Sequence, residues 1–305
     1  MNALVSVIIP VYNREHLVSQ AIESVLAQTY QPVEIILIND GSKDNSLSIL
    51  KEYERRFPST IKVLDQENQG QIAARNNGIN VAQGDYIAFL DSDDLWMEDK
   101  LIRQIPLFEA GVGLVYSGAE IIDEKGKVIR TEFADEAITG NIYPQLLVKN
   151  RMTGGTVVVT KESLDHVGVF SMDFKAAENW DLWLRICQFY TARVVSDPLI
   201  KYRIHSDNMS ADNHLMLQAK LQIIQKHCDL NSKNSVIAHH SRLAHADYHY
   251  RKGLNYFSTG KYRQARREFF SVLSFSYKYR DTWIRLLRCF LGRAGNNILR
   301  SMKRG

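Results

Sequence analysis

The first 91 residues alternate between continuous apolar runs and apolar positions at helical spacing. Residues 4–12 (LVSVIIPVY) and 33–40 (VEIILIND) are nearly continuous apolar runs rich in β-branched side chains, which is typical of strands buried on both faces. Between them, apolar side chains recur with the period of a helix over residues 17–26. This alternation predicts βαβ units and therefore a parallel sheet covered by helices.

The same alternation continues toward residue 91. Residues 61–66 (IKVLDQ) and 85–91 (DYIAFLD) predict two further strands, and a helix is predicted between them over residues 69–83. In parallel sheets of this kind, ligands bind beyond the carboxyl ends of the strands. The sequence therefore predicts a ligand site close to residues 39–42 and 91–94.

Beyond about residue 212 the pattern becomes helical. Prolines are absent from this part, and residues 250–276 resemble one helix-turn-helix unit of a tetratricopeptide repeat. A single unit cannot bury its own apolar face, so it is expected to pack on a neighbouring surface. We therefore predict two domains, an α/β domain over residues 1–210 and a helical region over residues 211–305.

Composition excludes several classes of protein. The 305 residues are 45% apolar and 24% charged, with a net charge of +4, which is typical of a globular protein rather than of a nucleic-acid binder. Cys187, Cys228 and Cys289 have no metal or redox spacing, which favours a reducing compartment. The N-terminus has no basic leader, and no uncharged run reaches the roughly 18 residues that span a bilayer. We therefore expect a cytoplasmic protein.

The C-terminal tail concentrates positive charge. Residues 278–305 contain eight Lys or Arg and one acidic residue, Asp281, interleaved with large apolar side chains. This makeup fits a basic amphipathic helix that lies on the anionic inner face of a membrane. It fits equally well an amphipathic helix that packs on the protein itself, and both interpretations stay open.

Residues 86–96 (YIAFLDSDDLW) carry the clearest chemical signal. Asp91, Asp93 and Asp94 directly follow an apolar strand, with no Lys or Arg in the run. Neighbouring carboxylates repel each other, so the run predicts a divalent cation, Mg²⁺ or Mn²⁺, that bridges to the phosphates of a nucleotide. A strand end followed by a helix cap would explain only one or two of the three aspartates.

Two other residues are candidates for contacts with a nucleotide. Asp40 ends a predicted strand and could accept a hydrogen bond from a base or ribose, although an Asx-turn is an equally good explanation. Arg75 lies where residues 76–78 (NNG) are expected to interrupt the helix. Its alternatives are a contact with the pyrophosphate or base and a position on a solvated helix face.

Taken in order, these blocks resemble a known family. VSVIIPVYN, ILINDGSKDNS, NQGQIAARNNGI and FLDSDDLW are followed by TGGTVVVTKESLDHVGVF, AAENWDLWLRI and YRIHSDNMS. Over about two-thirds of the chain they resemble the inverting family-two glycosyltransferases with the GT-A fold. The resemblance implies a mixed, mostly parallel sheet flanked by helices. It also implies transfer of a sugar from a nucleotide-diphosphate sugar, most often a UDP-sugar, to a saccharide or lipid-linked acceptor.

The resemblance also implies the residues of the site. The metal would be bound by Asp91, Asp93 and His205, with Asp94 behind them or at a helix cap. The donor would be contacted by Pro10, Tyr12, Asp40, Arg75, Asp91, Ser92, Gly155 and Trp180.

The position of the catalytic base departs from the family pattern. Family members usually have a Glu-Asp pair before an aromatic residue and DLWLR, with the Asp as base, whereas this sequence has Glu178, Asn179, Trp180 and Asp181. An amide cannot accept a proton as a carboxylate does. Three interpretations stay open: Glu178 is the base, Asp181 replaces it, or the protein is a catalytically silent module that binds nucleotide sugars. A nucleotidyltransferase is less favoured, because no glycine-rich basic loop follows the first strand.

Overall fold

The computed structural model describes residues 2–205 and 212–301, and the side chains of residues 2–205 and 212–292. The SDNMS part of the YRIHSDNMS block and the end of the basic tail therefore lie outside the described residues. The chain divides into two compact units. The first comprises Met1–Tyr143 and Arg151–Ala211, and the second comprises Pro144–Asn150 and Asp212–Gly305.

One mixed sheet organises the first unit. Its strands are β1 Val5–Val11, β2 Val33–Asp40, β3 Ile61–Gln66, β4 Tyr86–Phe89, β5 Leu95–Trp96, β6 Val112–Ile122, β7 Val128–Glu132, β8 Val158–Thr160 and β9 Thr191–Arg203. Their order is β3-β2-β1-β4-β8-β6-β9-β5, and β7 pairs with β6 beside this path. Strands β3, β2, β1 and β4 are parallel, as predicted, whereas β8 runs antiparallel between β4 and β6.

Helices connect the strands. In the first 205 residues they are α1 Val18–Leu26, α2 Ser46–Arg56, α3 Gln71–Val81, α4 Lys100–Gln104, α5 Tyr143–Val148, α6 Lys161–Val167 and α7 Glu178–Phe189. The predicted α/β class is confirmed, and the predicted bounds of β2 and β3 agree with the structure.

The position of β1 explains where a ligand site can form. Strand β1 pairs with β2 from Val5 to Val11, but with β4 only from Val5 to Ile8. Pro10, which lacks an N–H donor, therefore lies beyond the ladder with β4, where no hydrogen bond to that strand is needed. The chain leaves β1 toward β2 on one side and reaches β4 on the other. Such a switch point opens a crevice at the carboxyl ends of the strands.

Helix α3 corrects one expectation. It runs without interruption through Asn76, Asn77 and Gly78, although these residues were expected to break it. Tertiary contacts override their low helix propensity: the Asn76 side chain bonds both backbone groups of Phe170. A Cβ on Gly78 would lie 2.6 Å from Ile8 Cγ2, so glycine lets the helix pack closely on β1.

The second unit is helical, as predicted for the C-terminal region. Its helices are α8 Asn213–His227, α9 Ser235–Ser258, α10 Tyr262–Phe275 and α11 Thr282–Ser301. Helices α9 and α10 form the helix-turn-helix pair, and a Cβ on Gly253 would lie 2.8 Å from the Phe269 ring. Among the described residues, no helix is both long and apolar enough to cross a membrane.

Asp247 is the polar centre of the second unit. Its buried carboxylate accepts hydrogen bonds from Lys220 Nζ at 2.6 Å, Arg251 Nε at 2.6 Å and Tyr279 Oη at 2.6 Å. Burial opposes its ionisation, but these donors outweigh burial and lower the pKa of Asp247 to about 2. The carboxylate thus ties α8, α9 and the segment before α11 together.

Replacing Asp247 by Asn is expected to lower the free energy of unfolding by about 3 kcal/mol, because buried Lys220 loses its counter-charge. Urea denaturation would measure the loss, with Asp229→Asn as the control, since Asp229 is exposed in the same unit. The lowered pKa makes this contribution present above about pH 4 and lost as the pH falls toward 2. A difference between wild type and variant that grew on acidification would contradict this assignment.

Candidate active site

Two loops, one at the carboxyl end of β1 and one at that of β2, are hydrogen-bonded to each other. Asn13 Oδ1 accepts a hydrogen bond from the Lys43 N–H at 2.7 Å, and Ser42 Oγ accepts one from the Asn13 N–H at 3.1 Å. Tyr12, predicted to contact the nucleotide, is 45% exposed on the first of these loops. The loops therefore form a fixed rim with an accessible aromatic side chain.

Asp40 is buried, and its carboxylate accepts hydrogen bonds from other parts of the protein. Its Oδ1 accepts hydrogen bonds from Gln66 Nε2 and the Gln69 N–H, both at 2.8 Å, and its Oδ2 accepts one from the Gly70 N–H at 2.9 Å. The side chain is nearly fully buried. Asp40 thus anchors the loop between β3 and α3. The predicted contact of Asp40 with a base or ribose stays a prediction, since an ionised carboxylate can accept more than these three hydrogen bonds.

Arg75 joins two carboxylates that are far apart in sequence. Its Nη2 lies 2.6 Å from Asp91 Oδ1, and its Nη1 lies 2.7 Å from Glu178 Oε1. The guanidinium is only 1% exposed, which excludes the solvated helix face. Burial lowers the pKa of Arg75, but Asp91 and Glu178 more than offset burial, so that the pKa is raised. Gln71 Nε2 donates a further bond to Glu178 Oε1 at 3.2 Å.

Asp93 and His205 lie together, although 112 residues separate them. Asp93 Oδ2 is 3.0 Å from His205 Nε2 and 3.5 Å from Arg14 Nε. Asp91 takes a different partner, since its Oδ1 is bonded to Arg75. The structure therefore brings together two of the three predicted metal ligands and adds Arg14, whose role the sequence did not reveal.

Asp94 and Arg203 fix the backbone behind these two residues. Asp94 Oδ1 accepts the Arg203 N–H at 2.8 Å, and Arg203 Nε donates to the Asp93 carbonyl at 2.8 Å. Burial, followed by the charges of Asp91 and Asp93, raises the pKa of Asp94 well above its usual range. The end of β9, two residues before His205, is thus tied to the turn that carries the aspartates. The sequence did not predict the role of Arg203, because Asp93 and Asp94 lie about 110 residues away along the chain.

The donors present fit a divalent cation. Asp93 and His205 offer a carboxylate oxygen and an imidazole nitrogen, a pair that suits Mn²⁺ better than Mg²⁺. A cation would also offset the charges of Asp91 and Asp93, which, after burial, raise the pKa of Asp94. Within residues 2–205 and 212–292, no group of three or more His, Cys, Asp or Glu side chains is arranged around a metal position. Two protein ligands are nevertheless the usual number where phosphates and water complete the shell.

Glu178 and Asn179 open helix α7 next to this network. Glu178 is buried, and the chain enters the helix through Ala177, which has a φ of 63°. Asn179 faces the TGGT segment, because a Cβ on Gly154 would lie 3.1 Å from Asn179 Nδ2. In the part of the chain that the structure describes, Asn179 Oδ1 and Thr153 Oγ1 are buried polar atoms without a hydrogen-bond partner.

Asp181 lies in the interior and has a structural partner. Its side chain is fully buried, and its Oδ2 accepts a bond from Arg185 Nε at 2.9 Å. Arg185 in turn donates to the carbonyls of Val167 at 2.6 Å and Val169 at 2.7 Å. This pair fixes the loop after α6 to α7. Asp181 thus stabilises the packing of α7 against this loop. Its alternative role as the catalytic base stays a prediction.

Three other predicted contacts are buried. Ser92 and Trp180 are each less than a tenth exposed. A Cβ on Gly155 would point toward Ile200 Cδ1 at 3.4 Å and Asp94 Oδ2 at 4.0 Å. A side chain at position 155 would therefore face the protein interior, and the predicted approach of the Gly155 backbone to the donor sugar or acceptor stays a prediction.

Comparison with known proteins identifies the family. The profile described as Glycosyl transferase family 2 matches residues 6–168, more than half of the chain. The Escherichia coli protein WfgD, a UDP-Glc:alpha-D-GlcNAc-diphosphoundecaprenol beta-1,3-glucosyltransferase, is 34% identical over 225 residues, which cover 72% of this chain and 85% of WfgD. The chain belongs to glycosyltransferase family 2, a family of transferase enzymes, which confirms the predicted resemblance.

Solved structures share the fold at low sequence identity. The mannosyltransferase PcManGT from Pyrobaculum calidifontis, in complex with GDP-Man and Mn²⁺, has a TM-score of 0.65 and 18% identity, covering 93% of this chain and 78% of its own. S. aureus TarS 1–349, in complex with UDP-GlcNAc, has a TM-score of 0.61 and 19% identity, covering 89% and 81%. These similarities confirm the predicted GT-A-like architecture.

The chain also matches longer proteins. Two uncharacterized glycosyltransferases, from Rickettsia conorii and Rickettsia felis, are 34% and 32% identical over 218 and 213 residues. The chain spans about a third of their length, since the matches cover 35% of each.

Proposed function

We propose that the protein transfers a sugar from a nucleotide-diphosphate sugar to a hydroxyl group of an acceptor, with inversion at the anomeric carbon. One observation carries the proposal: buried Arg75 bonds both Asp91 in the DSDD run and Glu178 at the start of α7. The expected donor side of the site is thereby connected to a carboxylate that can serve as a base. All of these residues lie in the proposed catalytic domain, residues 1–210.

The proposed donor is a UDP-sugar, and the proposed acceptor is a saccharide or lipid-linked saccharide. WfgD is named for UDP-Glc and for an acceptor on diphosphoundecaprenol, and TarS was solved with UDP-GlcNAc. The GDP-Man bound to PcManGT makes guanine the second base to test. Tyr12, exposed on the rim at the end of β1, offers an aromatic surface for either base.

We assign Asp93 and His205 as the protein ligands of Mn²⁺ or Mg²⁺. The Mn²⁺ bound to PcManGT supports a metal in this fold. When bound, the ion would neutralise charge on the diphosphate leaving group. Arg14, 3.5 Å from the same Asp93 oxygen, would add positive charge on the diphosphate side. Asp94 and Arg203 would hold Asp93 and His205 in position relative to each other.

Glu178 is the base that we propose. The acceptor oxygen bonds to the anomeric carbon on the face opposite the leaving group, while the bond from that carbon to the diphosphate oxygen breaks. The hydroxyl proton passes to Glu178, and the nucleotide diphosphate departs. Asn179 at the adjoining position can orient a hydroxyl group through its amide, but cannot take the proton. Asp181 is a poorer candidate because its side chain is fully buried. Glu178 is also paired, but Arg75 and Gln71 both bond its Oε1, which leaves Oε2 to take the proton.

The binding part of the proposal is tested by calorimetric titration with UDP and GDP, in Mn²⁺ and in chelator, on the wild type and on Asp93→Asn. We expect metal-dependent binding of one nucleotide and about tenfold weaker binding to the variant, because one metal ligand is lost. The matched control is Asp197→Asn, since Asp197 is an exposed partner of Arg103 on the same unit.

A silent binding module is the second candidate, because Asn179 occupies the usual position of the base. Metal-dependent nucleotide binding without any release of UDP from a UDP-sugar would favour that module. Absence of binding to either nucleotide, with or without metal, would overturn both candidates.

A further inference from the structure

Helix α11 exposes large apolar side chains on its outer side. Five of them are between 51% and 66% exposed: Trp283, Ile284, Leu287, Phe290 and Leu291. At 3.6 residues per turn they lie within an arc of roughly 120°. We name these five residues the α11 outer face.

The opposite side of the helix is also apolar and is already buried. Leu286 and Cys289 are at most 5% exposed and belong to the hydrophobic cluster of the second unit. A helix on the surface of a globular protein usually turns a polar side to the solvent. Because α11 packs through one apolar side and exposes another, its outer face is a surface of the kind that binds something else.

Basic residues border the outer face. Arg288 lies next to the outer face on the helix, and the exposed side chain of Lys278 precedes the helix. Arg280 is paired with Asp247 at 3.1 Å and does not add free charge to the border. Arg266 of α10 lies over the Phe290 ring, 4.9 Å from its centroid. The only acidic residue after Tyr277 is Asp281, which is paired with Arg285 at 2.8 Å. The border of the face therefore carries net positive charge, from Lys278, Arg266 and Arg288.

We propose that the α11 outer face binds the surface of an anionic lipid bilayer. Trp283 and the aliphatic residues would enter the region of the headgroups, and the bordering Arg and Lys side chains would meet lipid phosphates. A second copy of the chain fits less well, because it would bring two positive borders together. The inference does not depend on glycosyl transfer, since lipid binding requires neither donor nor acceptor.

Sedimentation with vesicles tests the proposal on the full chain. Vesicles of phosphatidylcholine alone are compared with vesicles containing about three-tenths phosphatidylglycerol. We expect binding to the anionic vesicles only, weakened by salt, and at least about tenfold weaker partitioning for Leu287→Glu. Val236→Glu is the matched control, because Val236 is 50% exposed on α9 of the same unit. Its binding is expected to equal that of the wild type.

Three results would overturn the proposal. They are a wild-type chain that ignores anionic vesicles, a Leu287→Glu variant that binds as well as the wild type, and equal binding to neutral and anionic vesicles. Analytical ultracentrifugation without lipid tests whether a second copy of the chain binds the face instead. A wild-type dimer that Leu287→Glu abolishes would assign the face to self-association. A far-UV spectrum of each variant verifies that it is folded.

Discussion

Glu178→Gln is expected to lower kcat by roughly 10²–10⁴-fold, the range that general acid-base catalysis contributes. The amide keeps the shape of the side chain and can still accept the bond that Arg75 Nη1 donates at 2.7 Å. It cannot accept the proton of the acceptor hydroxyl. The dissociation constant of the nucleotide is therefore expected to change much less than kcat. UDP release with acceptor present, alongside calorimetric titration with UDP, separates these two quantities.

A second substitution makes this result specific. Asn179→Asp, introduced into the Glu178→Gln variant, restores a carboxylate at the usual position of the family base. Partial recovery of kcat is expected, because position 179 directly follows Glu178 at the start of α7 and adjoins Gly154 of the TGGT segment. Glu162→Gln serves as the control, since Glu162 is in the first turn of α6. Full activity in Glu178→Gln would remove Glu178 as the base.

Arg75→Met is expected to lower the free energy of unfolding by about 3–5 kcal/mol, the usual cost of removing one partner from a buried ion pair. The loss leaves Asp91 and Glu178 facing each other without a cation. Methionine fills much of the volume, so a missing charge, rather than a cavity, would dominate the effect. The midpoint of urea denaturation measures the stability, and nucleotide titration measures the site.

Two controls define the role of Arg75 further. Arg75→Lys keeps the charge, but an ammonium cannot hold two carboxylates in the forked geometry of a guanidinium. We expect this variant to recover part of the stability and little of kcat. Arg55→Met removes an arginine whose side chain is 74% exposed and is expected to leave both quantities unchanged. A wild-type denaturation midpoint in Arg75→Met would show that the buried bridge does not hold the site together.

Local patterns predicted much of the fold. The parallel half of the sheet follows from alternating strand and helix periods, and β2 and β3 begin and end where the apolar runs do. The antiparallel β8 could not be predicted in the same way. Its place between β4 and β6 depends on pairing between strands 70 residues apart, which leaves no periodic signal along the chain.

The site was likewise predicted only in part from the sequence. The resemblance to the family predicted that Asp93 and His205 belong to one site, and they lie 3.0 Å apart. It did not predict that Arg75 bonds Glu178, because that contact joins α3 to α7 across 103 residues. Nor did the motif show that Asp40 holds the loop before α3. Single residues in a motif give their chemical type, whereas their hydrogen-bond partners are set by the tertiary fold.

The shared guanidinium of Arg75 has a consequence for how this site can change. Because one side chain bonds both Asp91 and Glu178, a substitution at any of the three positions alters the energetic background of the other two. Residues in one network of this kind do not contribute additively. If Asp91 contacts the donor and Glu178 is the base, as we propose, donor preference and kcat are not independent of each other. On this assignment, a variant selected for a new donor by a substitution at position 91 would also have an altered kcat. Second substitutions that restore kcat would then be found at position 75 or 178.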